Sequence, residues 1–247
     1  MFSQSSLAGL SATGSALAFP DVWRASELAV SRVRTCASGH PGLDSVLPNR
    51  GWPRSSMIEL LLRQGGIGEM QLLKPVLASL SGGQFIAMVQ PPWIPHAMAC
   101  QTWGIEPRRL LWIRPSSSAE ALWTTEQILK NGGCGAVILW QSQVRAESLR
   151  RLNLAVQSTD TCFWFVRPLA CASEASPAPL RLALRPAVGG VMVDIIKRRG
   201  PALDAPFWIP LTDQPVSRFS KSTPDVADTV VPLPAADPAR NPATTLV

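Results

Sequence analysis

Five short apolar runs recur between Met57 and Val166, and each is separated from the next by a stretch whose apolar residues fall at helical spacing. The runs are Met57–Leu62, Phe85–Val89, Leu110–Ile113, Ala136–Trp140 and Cys162–Val166. Apolar segments of this length, bounded by Gly and Pro, read as strands buried on both faces. The intervening stretches read as helices. Met70, Leu73, Leu77 and Leu80 mark the first, with Pro75 inside it predicting a kink or a later start. A second spans Pro95 to Trp103. Ser117 caps a third, with Glu120 placed for a capping box and Asn131-Gly132-Gly133 as its stop. Leu149, Leu152 and Val156 lie on one face of a fourth. Strands alternating with helices dictate βαβ units, so the fold class is α/β: a mainly parallel sheet flanked by helices, with right-handed crossovers.

The pattern changes towards both ends. Leu180, Leu182 and Leu184 alternate with other residues, Val188-Gly189-Gly190 makes a turn, and Val191–Ile196 returns. That is a late antiparallel β-hairpin. Residues 1–19 are rich in Ser, Ala and Gly and are expected to be disordered. A short helix fits Asp21–Val33, with Asp21 as its cap. Gly39–Arg54 reads as loop, apart from a turn at Leu43–Leu47. Residues 213–247, rich in Pro, Asp, Ala and Thr, are expected to form a flexible tail, because they cannot offset an ordering cost of ~1–2 kcal/mol per residue. One domain over 20–212 remains.

With 46% hydrophobic and 16% charged residues, the chain has material for a sizeable core. Its net charge of +6 suits contact with nucleic acid or an acidic protein, and equally a mildly basic soluble protein. Five cysteines, none in C-x-x-C spacing, argue against a disulfide framework or a zinc site; buried, reduced thiols and the cytoplasm are expected. The first residues lack the positive start of a secretory signal, and no apolar run approaches the ~18 residues of a membrane span.

The first strand leads into a glycine turn, Gln64-Gly65-Gly66-Ile67-Gly68-Glu69-Met70. A phosphate-binding loop there needs a lysine after its last glycine and then a hydroxyl for Mg²⁺. Glu69 and Met70 stand at those positions. A carboxylate so placed repels phosphate. The turn therefore reads as a tight strand-to-helix connection, a degenerate phosphate loop at Gly65, Gly66, Gly68 and Glu69. An ATPase of this kind also needs acids at the ends of core strands. The chain has Gln141 after Trp140, and Gln90-Pro91-Pro92-Trp93 after Val89.

Neither histidine, His40 or His96, lies in H-E-x-x-H, and no G-x-S-x-G occurs. No catalytic, cofactor or metal residues are assigned. Two features suit binding instead. Lys197-Arg198-Arg199-Gly200 is the densest positive cluster and follows a strand; it reads as an interaction site or as a solvated turn. Arg145, Arg150 and Arg151 read as a solvated helix face. Nine tryptophans occur beside no tyrosine, and Trp93, in its Pro-Pro-Trp loop, is the candidate exposed contact.

Ser38-Gly39-His40-Pro41-Gly42-Leu43-Asp44 and the glycine-rich lead-in Gly51 to Leu60 resemble the RecA family. Taken together, the G-W-P lead-in, the G-I-G-E turn, the A-L-W helix, the C-G-A-V strand and the K-R-R-G segment are similar to ImuA-type proteins, RecA-like accessory proteins of damage-induced mutagenesis. The resemblance runs from about Val22 to Ile209. It implies a RecA-like fold without ATPase chemistry and a role in SOS-induced translesion DNA synthesis. The implied partners are an ImuB-like polymerase relative and a DnaE-type error-prone polymerase, with RecA and single-stranded DNA as further contacts. It also implies that the Lys197–Arg199 segment lies near the former nucleotide face. The alternative is a SulA-like cell-division inhibitor binding FtsZ.

Overall fold

The computed structural model describes residues 34–201, 203 and 205–211. The N-terminal stretch 1–19, the helix expected over Asp21–Val33 and the tail 213–247 lie outside these residues.

Among the described residues ten strands and five α-helices follow one another: β1 (Thr35–Cys36), α1 (Pro41–Val46), β2 (Trp52–Pro53), β3 (Ser56–Leu62), α2 (Glu69–Ser81), β4 (Phe85–Val89), α3 (Ala97–Thr102), β5 (Leu110–Ile113), α4 (Ser118–Asn131), β6 (Cys134–Trp140), α5 (Ala146–Gln157), β7 (Cys162–Pro168), β8 (Leu180–Ala187), β9 (Gly190–Lys197) and β10 (Phe207–Pro210). β3 to β10 form one sheet in the order β10-β9-β8-β3-β7-β6-β4-β5. β5, β4, β6, β7, β3 and β8 are parallel; β9 runs antiparallel to both its neighbours. The fold is thus α/β, a mainly parallel sheet flanked by helices with a late antiparallel hairpin, in agreement with a RecA-like arrangement.

The central strands are mostly apolar because both their faces are covered, whereas the edge strand β5 leaves Leu111 and Trp112 exposed. All seven residues of β6 are buried. α2 lays Leu72, Leu73, Val76 and Leu77 on one face, against Ile58, Leu60, Ile138 and Trp164. α4 and α5 lay Leu129, Leu149, Leu152 and Val156 on the other, against Met57, Val137 and Phe163. One polar cluster interrupts that second face. Glu59 of β3, fully buried, accepts from Arg181 Nε at 2.6 Å and from Ser176 Oγ at 2.7 Å, with Arg167 Nη1 at 3.5 Å. It ties β3, β7 and β8 to the segment before β8.

Several local expectations are corrected. Pro75 does not delay α2, which is assigned without a break over Glu69–Ser81. The ring forfeits one backbone bond, yet it packs onto Gly39, where a Cβ would fall 2.3 Å from Pro75 Cβ, and burial of both flanks outweighs the loss. The loop expected over Gly39–Arg54 contains α1, started by Pro41 and by Asp44, which accepts from the Ser38 amide at 2.8 Å. It also contains β2, paired with β1 in a separate small sheet. Ser117 caps α4 as expected, but Glu120 reaches past it to the amide and hydroxyl of Ser116. β10, unmarked by any alternation, extends the hairpin. Among the described residues no helix is long and apolar enough to cross a membrane.

Candidate functional site

The glycine turn joins the C-terminal end of β3 to α2, the edge where open α/β sheets bind ligands. Gly66 and Gly68 are left-handed there, with φ of 84° and 114°. Glu69, in the first turn of α2 and 1% exposed, turns back on this loop: its Oε1 accepts from the Gly66 amide at 2.6 Å. An amide of the kind that meets phosphate in a nucleotide cradle is therefore already bound by a carboxylate of the same chain. Glu69 Oε2 has no partner.

The space over the turn is filled too. A Cβ on Gly65 would stand 2.7 Å from Trp93 Cη2, and one on Gly66 3.0 Å from the same atom. A Cβ on Gly68 would stand 2.6 Å from Leu211 Cδ1. All three glycines thus serve the close approach of an apolar side chain, rather than of a phosphate.

The strand ends where an ATPase places its acids carry a paired amide. Gln141, after β6, donates from Nε2 to Oε1 of Gln90, after β4. Both backbones are fixed: Gln90 N–H donates to the Ile113 carbonyl at 2.9 Å, and Gln141 N–H to the Val166 carbonyl at 3.2 Å. Gln90 is held at φ 54°, a left-handed conformation uncommon outside glycine. Two neutral amides bonded to one another offer neither a Mg²⁺ carboxylate nor a general base.

What the site retains is an apolar groove of about 850 Å³, lined by Ile67, Met70, Trp93, Trp103, Trp140 and Leu211 among others. Trp93 remains 44% exposed at its rim, beside Ile94 at 67%. Val188 and Trp208 continue the exposed apolar surface beside Gly189 and Gly190, which also line the groove. Trp93 is thus exposed at the rim as expected, while its Cη2 end lies against the glycine turn.

The basic cluster lies elsewhere. β9 is antiparallel, so it carries Lys197 away from the groove, seven residues or roughly 23 Å along the strand from Gly190. The implied position beside the former nucleotide face of its own chain is thereby corrected. The cluster is also divided. Lys197 Nζ donates to the Ser176 carbonyl at 2.9 Å, and Arg198 donates to the carbonyls of Pro201 and Val46, whereas Arg199 is exposed. On α5, Arg151 does more than face water: it pairs with Glu126 of α4.

His40 is structural. Its Nε2 lies 3.2 Å from the Leu72 carbonyl, and burial pushes its pKa down. His96 precedes α3 and caps it with no side-chain bond. Among the described residues no three His, Cys, Asp or Glu side chains gather as a metal site would require.

No protein-family model matches the chain, and no curated protein matches it. The residues that shape the site were only partly legible beforehand. The missing lysine and acids are visible in the sequence. The seat of Trp93 on the glycines, the Gln90–Gln141 bond and the contribution of Leu211 are not, because each joins residues far apart in the chain.

Proposed function

We propose that this protein is a RecA-like accessory protein of SOS-induced translesion DNA synthesis that works by binding and not by catalysis. The observation that carries the non-catalytic part is the self-occupied glycine turn: Glu69 on the Gly66 amide, with Trp93 on the glycines. A phosphate placed about 4 Å from the Glu69 carboxylate meets a repulsion of about 4 kcal/mol at an effective dielectric of 20. That is about a thousandfold in affinity, enough to move a micromolar nucleotide site to the millimolar range. The paired glutamines remove the Mg²⁺ and base functions as well.

The partners follow from the resemblance of the sequence to ImuA-type proteins: an ImuB-like polymerase relative and a DnaE-type error-prone polymerase, with RecA and single-stranded DNA as further contacts, all in the cytoplasm. The apolar groove rimmed by Trp93 suits an apolar anchor of a partner protein, since aromatic residues at the rim of a pocket concentrate binding energy.

Two measurements test this reading. Calorimetry with ATP and Mg²⁺ is expected to show no binding tighter than millimolar; micromolar binding lost on changing Gly66 or Gly68 refutes the non-catalytic part. Binding of the purified ImuB-like relative is expected to weaken at least tenfold in Trp93→Ala with the fold intact by circular dichroism. Binding of FtsZ in its place supports the SulA-like alternative and refutes the translesion role.

A further inference from the structure

Cys36 and Cys162 lie 126 positions apart, and their sulfurs are 3.6 Å apart, with the Cys162 thiol donating to Cys36. The two sites differ. Cys162 opens β7 inside the main sheet and is fully buried, whereas Cys36 sits on β1, in the small two-stranded sheet, and is partly exposed. Arg54, just after β2, places its guanidinium beside them. Nη1 binds Asp160 at 2.9 Å and Nη2 binds Gln84 at 3.2 Å, while the buried Nε has no partner. The charged groups acting on the pair are Arg54, which favours thiolate at both sulfurs, and Asp160, which opposes it at Cys36.

Reactive thiols sit in electropositive, partly exposed places and pair with a second thiol. We propose that Cys36 and Cys162 are a hydroperoxide-reactive dithiol, with Cys36 the attacking thiolate and Cys162 the resolving thiol. The Cys162 hydrogen bond, followed by the charge of Arg54, brings the Cys36 thiol down to about 7 against burial. The same partnership and burial push Cys162 well up, so it stays protonated. Burial also raises Cys100, Cys134 and Cys171, leaving them unreactive.

The Cys36 thiolate attacks one oxygen of hydrogen peroxide. The O–O bond breaks, Cys36 becomes a sulfenic acid, and hydroxide leaves. The Cys162 sulfur then attacks the Cys36 sulfur, the S–O bond breaks, and the hydroxyl departs as water with the Cys162 proton. Two thiols have lost two electrons, and the peroxide has become water and hydroxide. A disulfide needs the sulfurs at ~2.05 Å. β1, paired with β2 outside the main sheet, supplies that approach. The product latches β1 onto the first residue of β7, and a thiol reductant reverses it.

The test uses the full chain, reduced and desalted. At pH 7, half of a thiol with pKa 7 is thiolate, against about one hundredth at pKa 9; the lower nucleophilicity returns about eightfold of that gain. Cys36 is therefore expected to react with iodoacetamide about sixfold faster than an ordinary exposed thiol, with a pH midpoint near 7. Arg54→Gln is expected to move that midpoint upward. One equivalent of peroxide should yield the Cys36–Cys162 linked peptide by mass spectrometry and a higher melting temperature, with the other three thiols free. In Cys162→Ala, which needs no bridge to fold, Cys36 loses the hydrogen bond that most lowers its pKa, so it should oxidise more slowly than in the parent and stop at a sulfenic acid trapped by dimedone. A Cys36 no faster than the buried thiols, or peroxide-treated folded protein without the linked peptide, overturns the proposal. A bridge made by oxidised glutathione and not by peroxide overturns the choice of oxidant.

Discussion

Replacing Glu59 by Gln removes one buried charge and almost no volume. Glu59 is fully buried, and its two oxygens serve Arg181, Ser176 and Arg167. Both guanidinia are also buried, with side chains 1% and 6% exposed for Arg167 and Arg181. Arg181 keeps three bonds to the carbonyls of Cys171, Ala172 and Glu174, which are neutral. Arg167 keeps the carboxylate of Glu174, which is half-exposed and screened by water. The variant thus leaves buried positive charge with one solvated counterion. Breaking a buried pair in this way costs about 3–5 kcal/mol, roughly a fifth or more of a typical folding stability of about 5–15 kcal/mol. With about 2–4 °C per kcal/mol at this chain length, the thermal midpoint should fall by roughly 6–20 °C. Urea unfolding followed by circular dichroism measures the free-energy loss, and a thermal melt the midpoint, with an unchanged urea slope showing that the surface exposed on unfolding is the same. The exposed pair Arg185–Asp194, at 3.9 Å, is the control, and Arg185→Ala should shift stability by less than about 0.5 kcal/mol. A Glu59→Gln variant within about 1 kcal/mol of the parent refutes the argument that Glu59 is the main buried counterion of this cluster.

Gly66→Ala should destabilise by about 1–2 kcal/mol, since it forces a side chain into a left-handed φ of 84° and against Trp93; calorimetric unfolding reads this, and a neutral result would show that the indole is not seated on the turn. Hydrogen bonds from Lys130 and then Arg151 hold the Glu126 carboxyl below its ordinary value of 4.5. The folded pKa being the lower one, the stabilisation is complete above that value and is lost as pH falls through the lower, folded one. Glu126→Gln should therefore flatten the acid limb of a stability–pH curve below about pH 4.5, and an unaltered limb would contradict it. Arg198→Ala should cost about 1 kcal/mol through its lost carbonyl bonds, whereas Arg199→Ala should leave the melting temperature unchanged. If Arg199 instead contacts a phosphate backbone, its replacement lowers the salt slope of single-stranded DNA binding by about one, and an unchanged slope assigns it to a solvated turn.

The five apolar runs form β3 to β7 within two residues of their expected ends, because strands buried in the middle of a covered sheet are mostly apolar. The stop of α4 at Gly132 was equally legible, since its φ of 66° is a backbone requirement written into one residue. α1 and β2 are not legible in the sequence: a Gly- and Pro-rich stretch that reads as loop is held by Asp44 on the Ser38 amide and by Trp52 packed edge-on to Trp164 at 5.9 Å. Pro75 was misread for a related reason, its local penalty being overruled by Gly39 across the fold.

The absence of a lysine after Gly68 and of acids after β4 and β6 is a property of the sequence alone, because those positions are defined by counting from neighbouring residues. What takes their place is a property of the tertiary structure. Trp93 reaches the glycine turn from beyond β4, Leu211 from beyond β10, and Gln141 meets Gln90 across 51 positions. The direction of β9 likewise decides that Lys197, Arg198 and Arg199 stand at the end of the strand remote from the groove. Periodicity and turn chemistry act over a few residues and are written locally. Which strand lies beside which is settled only when the whole sheet forms, and that sets what fills the turn.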